Sequence, residues 1–263
     1  MNSLALVSKQ GRKYKVSIPD PKPDLVSAYV FAFARSGSTL LNNMIASYCR
    51  QIGIPTFSLF NTAFDQGVPT QDIQEDASIL FKKSGFIYTG FRHFPAFDLD
   101  VSGAPAIWLT RDPRDMLVSQ YYSVITSHVI PEGLVFFKQN RLEARKIDIN
   151  QYAIEKAMVF ARQFRRYQTM LADSDLTVYR YEDVIYDKKK WLGNLISKLG
   201  LKHDRALVTA IANQFDIVPD KENKEKHIRQ VHPGNHTKKL TAKTINELNI
   251  LLSDFLKYFD YEY

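Results

Sequence analysis

Val30–Met44 reads VFAFARSGSTLLNNM, and this stretch decides the fold. Ala28–Ala34 is an apolar and aromatic run of strand length. Arg35-Ser36-Gly37-Ser38-Thr39 is small and polar. From Leu40 apolar residues return at helical spacing, as Leu40, Leu41, Met44, Ile45 and Tyr48. A buried strand, a tight turn and a helix are predicted in succession. Backbone N–H groups at a helix N-terminus lack intrahelical partners, so the turn is a ready anion site, and phosphate is a frequent occupant. Gly37 lets the backbone curl around such a group, and Ser36, Ser38 and Thr39 add hydroxyl donors.

The turn is not a Walker A loop, which needs G-x-x-x-x-G-K-[ST]. Aligned on Gly37, the lysine position holds Ser38 and the upstream glycine position holds Ala32. The cation of the turn is Arg35. A Ser-rich βα turn without a ligand is the plain alternative.

The chain of 263 residues is long enough to bury a full core as one α/β domain over residues 1–263, with residues 1–24 as an N-terminal extension. Two small domains are the alternative. The formal net charge of +7 suits an anionic ligand, a nucleic acid or an acidic membrane surface, and does not choose between them. A single cysteine, Cys49, precludes an internal disulfide, and its place in the first helix suits a buried, inert thiol. No run approaches ~18 apolar residues, so no membrane span is expected. Leu4–Val7 is too short an apolar run for a signal peptide, and a cytoplasmic protein is the expectation.

Met1–Asp24 is basic and ends in the turn Pro19-Asp20-Pro21-Lys22-Pro23, with Tyr14–Ile18 alternating like a short edge strand. The first helix ends near Gly53. Ile54–Thr70 carries Pro55, Gly67, Pro69 and aromatics that read as exposed, as in a functional loop. Ile73–Lys83 reads as a short helix. Phe86–Phe91 is a second strand, followed by Arg92-His93-Phe94-Pro95. Ala106–Thr110 is a third, followed by Arg111-Asp112-Pro113-Arg114-Asp115. Pro113 suits the first turn of a helix running to about Ser127, and Asp112 suits its N-cap. His128–Lys146 is mixed. Ile149–Ala172 is a long amphipathic helix, and Leu176–Tyr181 is a fourth strand followed by Glu182-Asp183. Lys188–Leu199 is helical and stops at Gly200, and Asp204–Phe215 is helical too. Pro219–Lys239 is polar and strongly basic. Thr241–Tyr258 is a last amphipathic helix capped by Thr241.

Strands alternating with helices predict three α/β/α layers around a mainly parallel sheet. In such sheets ligands sit at the carboxyl ends of the strands. The polar clusters Arg35–Thr39, Arg92–His93, Arg111–Asp115 and Glu182–Asp183 all fall there. Arg111 at a strand end and Ser119 almost two turns along the next helix can close on one phosphate from two sides. A well-capped helix start with solvated charges is the alternative for that stretch.

With these residues in view, the chain resembles the sulfotransferases that use 3′-phosphoadenosine 5′-phosphosulfate (PAPS). Their first signature, P-[KR]-S-G-[ST]-[ST] between a strand and a helix, is similar to Ala34-Arg35-Ser36-Gly37-Ser38-Thr39. Their second, R-x-P-x-D-x-x-x-S, is matched by Arg111, Pro113, Asp115 and Ser119. Tyr181-Glu182-Asp183 matches a third, Y-E-D after a late strand. Arg229 and Gly234 match a fourth, R-x-x-x-x-G in a basic loop before the last helix. The resemblance implies a P-loop NTPase-like fold and metal-free, in-line transfer of a sulfuryl group to a hydroxyl or amine. It implies that Arg35–Thr39 hold the 5′-phosphosulfate, that Arg111, Ser119 and Arg229 hold the 3′-phosphate, and that Tyr181 contacts adenine. Gly234 belongs to the same nucleotide loop. The product is 3′,5′-adenosine bisphosphate (PAP).

The chain departs from the family pattern in places. Ala34 replaces the proline, and Gln230-Val231 replaces the lysine–glycine that follows the arginine of the fourth signature. Arg35 stands where cytosolic members usually have lysine. Arginine does not release its proton, so Arg35 can stabilise charge on a leaving oxygen but cannot act as a general acid. The acceptor's proton needs a base. His93, in a context similar to the family's K-T-H-x-P, is the candidate, and Asp65 is its rival. A plain loop histidine is the alternative for His93. His128, His203, His227, His232 and His236 read as surface residues.

The acceptor is expected to be a small alcohol. Pro55–Thr70, with Phe57, Phe60 and Phe64, and Ser127–Lys146, with Phe136 and Phe137, are the expected walls of an apolar or aromatic acceptor site. A kinase or other nucleotide-hydrolysing enzyme is a second reading, weakened by the missing Walker lysine and the lack of an evident magnesium carboxylate. A nucleic-acid-binding module built on the basic C-terminal stretch is a third, and no aromatic-interleaved basic strand supports it.

Overall fold

The computed structural model describes residues 2–127, 130, 134–217 and 231–262. In chain order come β1 (Asn2–Val7), β2 (Lys13–Ile18), β3 (Lys22–Val26), β4 (Ala28–Ala32), α1 (Ser38–Gln51), β5 (Thr56–Phe57) and α2 (Leu59–Asp65). Next are β6 (Ser84–Gly85), β7 (Ile87–Phe91), β8 (Pro105–Thr110), α3 (Pro113–Tyr122), α4 (Val135–Ala144), α5 (Ile149–Leu171) and β9 (Asp175–Arg180). The chain closes with α6 (Tyr181–Val184), α7 (Lys188–Lys198), α8 (Arg205–Gln214), α9 (His236–Lys239), α10 (Ala242–Leu251) and α11 (Ser253–Tyr258).

Five strands form one parallel sheet in the order β5-β7-β4-β8-β9. Side chains alternate across a strand, so each strand feeds both faces. In and just after β4, Tyr29, Phe31 and Phe33 enter one apolar cluster, while Ala28, Val30 and Ala32 enter the other. Along β8 the same split puts Ala106 and Trp108 on the first face and Ile107 and Leu109 on the second. Burial on both faces explains why these strands read as unbroken apolar runs. The first face is covered by α5, whose Ala153, Ala157, Phe160, Phe164 and Tyr167 recur at helical spacing, together with α11. Leu41, Met44, Ile45 and Tyr48 of α1 cover the second face, with Trp191 and Leu195 of α7.

The chain runs from β4 to β5 and β7 on one side, then crosses to β8 on the other. A crevice therefore opens outside the carboxyl end of β4, where the strand order reverses. The turn after β4 sits at that crevice.

Several local expectations change. Ile73–Lys83 is not an α-helix; it holds a 3-10 turn over Glu75–Leu80. Thr241–Tyr258 is two helices, α10 and α11, joined at Leu252. Thr241 does cap the first, its Oγ1 accepting from Thr244 N at 3.2 Å. Ile54–Thr70 contains β5 and α2, and its Phe57 and Phe60 are buried in the core rather than exposed. Part of the mixed stretch His128–Lys146 is the regular helix α4, while His128 itself lies outside the described residues. Tyr14–Ile18 is a strand as expected, and it pairs with an unforeseen one, β1. No helix among the described residues is long and apolar enough to cross a membrane.

Candidate active site

The turn after β4 is held by its own backbone and by Ser36. Ser36 N donates to Phe33 O at 3.2 Å, and Ser36 Oγ donates to the same carbonyl at 2.7 Å. The Ser36 hydroxyl proton is thus committed within the turn and is not offered to a ligand. Arg35 has φ 73° and Gly37 has φ 96°, both in the left-handed region. For a non-glycine residue that conformation costs about 1–2 kcal/mol, and such residues persist where surrounding structure holds them. Gly37 is required twice over. A Cβ there would lie 2.8 Å from Cδ2 of Tyr181.

A cavity of about 350 Å³ opens over this turn. Arg35, Gly37, Ser38, Thr39, Arg111, Ser119 and Tyr181 all line it. Residues separated by up to 146 positions in the sequence thus meet at the strand ends. Nε of Arg35 donates to Oγ of Ser119 at 3.3 Å, joining the two parts of the expected phosphate site. The rest of the lining is mostly apolar, formed by Leu40, Ile185, Phe215, Ile217 and Val231 with Asn43 and Lys188. Lys188 is buried and donates to Ile185 O at 2.7 Å and to Asp216 Oδ1 at 2.6 Å. No local pattern marks this part of the lining, because its residues are spread from Leu40 of α1 through Ile185 after α6, Lys188 of α7 and the end of α8 to Val231.

Arg111 follows β8 directly and is buried. Its guanidinium lies over the Tyr181 ring at 4.6 Å, and its Nη2 donates to Asp115 Oδ2 at 3.1 Å. Its Nε is buried and has no hydrogen-bond partner among the described residues. A buried donor without a partner costs free energy, so this atom suits an anion lying against it. Tyr181 donates its hydroxyl to Val231 O at 2.9 Å. Burial pushes its phenol up to about 12, with Arg111 opposing the rise, so it stays protonated at neutral pH.

Asp115 is the residue whose importance the sequence motif understated. Pro113 occupies the first position of α3, and Asp112 caps the helix by accepting from Arg114 N at 2.9 Å. The fully buried carboxylate of Asp115 accepts from Arg111 Nη2 and Gly234 N through Oδ2, and from His236 N and Nδ1 through Oδ1. Burial by itself raises its pKa; the His236 hydrogen bond and the Arg111 charge outweigh this and bring it to about 2. His236 is therefore buried, not a surface residue as its sequence context suggested. Gly234 does not line the cavity, and its N–H is committed to Asp115. Arg229 and His227 lie outside the described residues.

His93 lies at the end of β7, is exposed, and does not line the cavity. Its Nδ1 is 3.2 Å from Nε2 of Gln163. If the Gln163 amide presents nitrogen, Nδ1 accepts and the ring proton sits on Nε2; if it presents oxygen, Nε2 is left as the base. Asp65 ends α2, near Arg92. Burial lowers the Arg92 pKa while the Asp65 charge works against it. Nη2 of Arg92 reaches Oγ1 of Thr39 at 3.5 Å, so the end of β7 touches the phosphate turn. Tyr152 of α5 is a further neighbour of Arg35 that the sequence did not signal. Burial raises its pKa and the Arg35 charge opposes this.

No family model matches the chain, and no curated protein does. Solved structures match it over most of its length. A mouse sulfotransferase, SULT7A1, complexed with PAP is 12% identical with a TM-score of 0.59, over 92% of this chain and 86% of the other. The chain has the sulfotransferase fold. Retinol dehydratase in complex with androsterone and inactive cofactor PAP matches at 13% identity and TM-score 0.58, over 90% of this chain and 82% of the other. Retinol dehydratase with retinol and PAP matches at 12% identity and TM-score 0.56, over 97% and 90%. At such identities the likeness is one of fold. In this sulfotransferase fold the crevice outside β4 carries the cationic cavity described above.

Proposed function

We propose that the protein is a sulfotransferase that takes PAPS as donor and releases PAP. The observation that carries this reading is the cavity at the strand ends, where Arg35, Ser38 and Thr39 meet Arg111, Ser119 and Tyr181. The unpartnered, buried Nε of Arg111 fits a phosphate at that end. The solved structures of like fold are complexes with PAP, which supports the same ligand here.

Bound PAPS supplies a sulfuryl group, which passes to the acceptor oxygen as its bond to the 5′-phosphate breaks. Ser38 and Thr39 at the start of α1 hold the phosphosulfate end with backbone and hydroxyl donors. Arg35 stabilises charge on the leaving phosphate oxygen, and its bond to Ser119 fixes the guanidinium for that task. Arg111 and Ser119 hold the 3′-phosphate, with Arg229 as a further cation. Tyr181 and the apolar part of the lining hold adenine. His93 takes the acceptor's proton at Nε2, which requires the Gln163 amide to turn its oxygen toward Nδ1.

The acceptor is a small alcohol with an apolar or aromatic body, held between α2 and α4. Phe64 and Phe137 support this, since their rings meet edge-on at 5.6 Å across those two segments. Phe57 and Phe60 belong to the core and take no part. Arg141 and Arg145 hold α4 in place, donating to the carbonyls of Val124 and Ile125 beyond α3.

Thermal unfolding with PAP, AMP and ATP tests the reading. PAP at ~100 times its dissociation constant adds about 2.7 kcal/mol of stability. AMP and ATP lack a 3′-phosphate, so a much smaller rise in Tm is expected at equal concentration. Equal shifts with PAP and AMP would remove the PAPS reading. Transfer of labelled sulfate to a panel of small alcohols then identifies the acceptor.

A further inference from the structure

We infer that Asp115 and His236 are positioning residues that aim Arg111, and so set the preference for a nucleotide with a 3′-phosphate. The inference rests on the donor reading above and concerns residues to which that reading gives no role.

The two oxygens of Asp115 divide four donors between them. Oδ2 accepts from Arg111 Nη2 at 3.1 Å and from Gly234 N at 2.8 Å. Oδ1 accepts from His236 N and His236 Nδ1, each at 2.8 Å. The carboxylate thus clamps the guanidinium on one side and the Gly234–His236 turn on the other. With Asp115 ionised, Nδ1 of His236 must carry the ring proton, which fixes the imidazole in one tautomer.

Burying a carboxylate is costly, and apolar residues of similar volume often serve stability as well or better. A buried charge with all its acceptor sites filled is suited instead to fixing the geometry of its partners. Arg111 is the partner that faces the cavity. Tyr181 supports its face and Asp115 holds one terminal nitrogen, and these two contacts aim the unpartnered Nε. If the turn shifts, the carboxylate shifts, and Arg111 follows. Asp112, the other acid near His236 at 3.9 Å, is bonded to Arg114 and does not compete for the clamp.

The test is calorimetry of PAP and AMP on wild type, His236→Phe, His236→Asn and Asp115→Asn, with each fold checked by circular dichroism. Phenylalanine removes the side-chain donor. Asparagine keeps an N–H near the position of Nδ1. Losing one hydrogen bond to a charge should weaken PAP binding roughly ten- to a hundredfold in His236→Phe, with AMP affinity almost unchanged. His236→Asn should recover most of the loss. In an Arg111→Ala background, His236→Phe should cost little more, because the residue it aims is gone.

Equal loss of PAP and AMP affinity, or an undiminished loss in the Arg111→Ala background, would overturn the inference. If His236→Phe does not fold, Asp115→Asn carries the same PAP-to-AMP comparison. A wild-type protein that does not distinguish PAP from AMP removes the donor reading itself. A wild-type preference that survives both His236→Phe and Asp115→Asn removes only the inference.

Discussion

Arg35 joins the parts of the site. Its backbone lies in the left-handed region at φ 73°, and its Nε reaches Ser119 on α3. A non-glycine residue in that conformation signals a turn shaped by its surroundings. Lysine could carry the same charge but not the same fixed fork of donors. Arg35→Ala should therefore lower turnover by ~10²–10³-fold, as when one donor to a developing oxyanion is lost. Steady-state rates, beside an unchanged unfolding curve, check this; near-normal turnover would remove Arg35 from the mechanism. The chemistry of Arg35 was legible because a lone cation in a Ser/Gly turn after a strand is a local pattern. Its bond to Ser119 was not, because the two residues are 84 positions apart.

Among the elements, the turn between β4 and α1 depends most on one side chain's absence. Gly37 meets the Tyr181 ring, and that ring is fixed by its bond to Val231 and by Arg111. Gly37→Ala therefore combines backbone strain with a clash against a ring held by those two contacts. It should lower stability by more than the ~1–2 kcal/mol of a left-handed alanine alone, and weaken PAP binding severely. Gly11→Ala is the control, since φ is 78° there and, among the described residues beyond its chain neighbours, no atom lies within 4 Å of the added Cβ. Denaturant unfolding of both variants checks the difference, and equal losses would mean that the ring gives way. Capping of α3 by Asp112 and Pro113 was readable from adjacent residues. The burial of Phe57 and Phe60 was not, because a Pro- and Gly-bearing connection looks the same in sequence whether it lies on the core or on water.

For the molecule as a whole, Asp115 ties two distant parts of the chain together and makes their union sensitive to acid. Its pKa falls from 3.8 to about 2 on folding. A depressed carboxylate contributes stability that is present above its unfolded pKa and is lost as pH falls through the folded value. For a fully buried group the shift corresponds to about 2 kcal/mol. Unfolding free energy should therefore drop by that order between about pH 4 and pH 2. Burial acts on Glu182 in the opposite sense, raising its pKa, so its contribution is greatest in acid and falls as pH rises through its folded value. Urea titrations across this range, on wild type and Asp115→Asn, isolate the Asp115 part. An identical acid slope in both proteins would contradict the assignment.

The sequence by itself determined the strand–turn–helix of Ala28–Gln51, the alternation that yields a parallel sheet, and the polar clusters at the strand ends. Those features follow from hydrophobic periodicity, caps and turn residues, all of which act over a few neighbouring positions. Tertiary structure decided that β5 pairs with β7 and that β1 pairs with β2. It also decided that the Ser36 hydroxyl turns inward, and that His236 is buried against Asp115. A histidine among lysines and threonines reads as a surface residue until the fold brings a buried carboxylate from 121 positions away within hydrogen-bond distance. Local chemistry shows which residues can bond; only the closed sheet and its covering helices fix which of them meet.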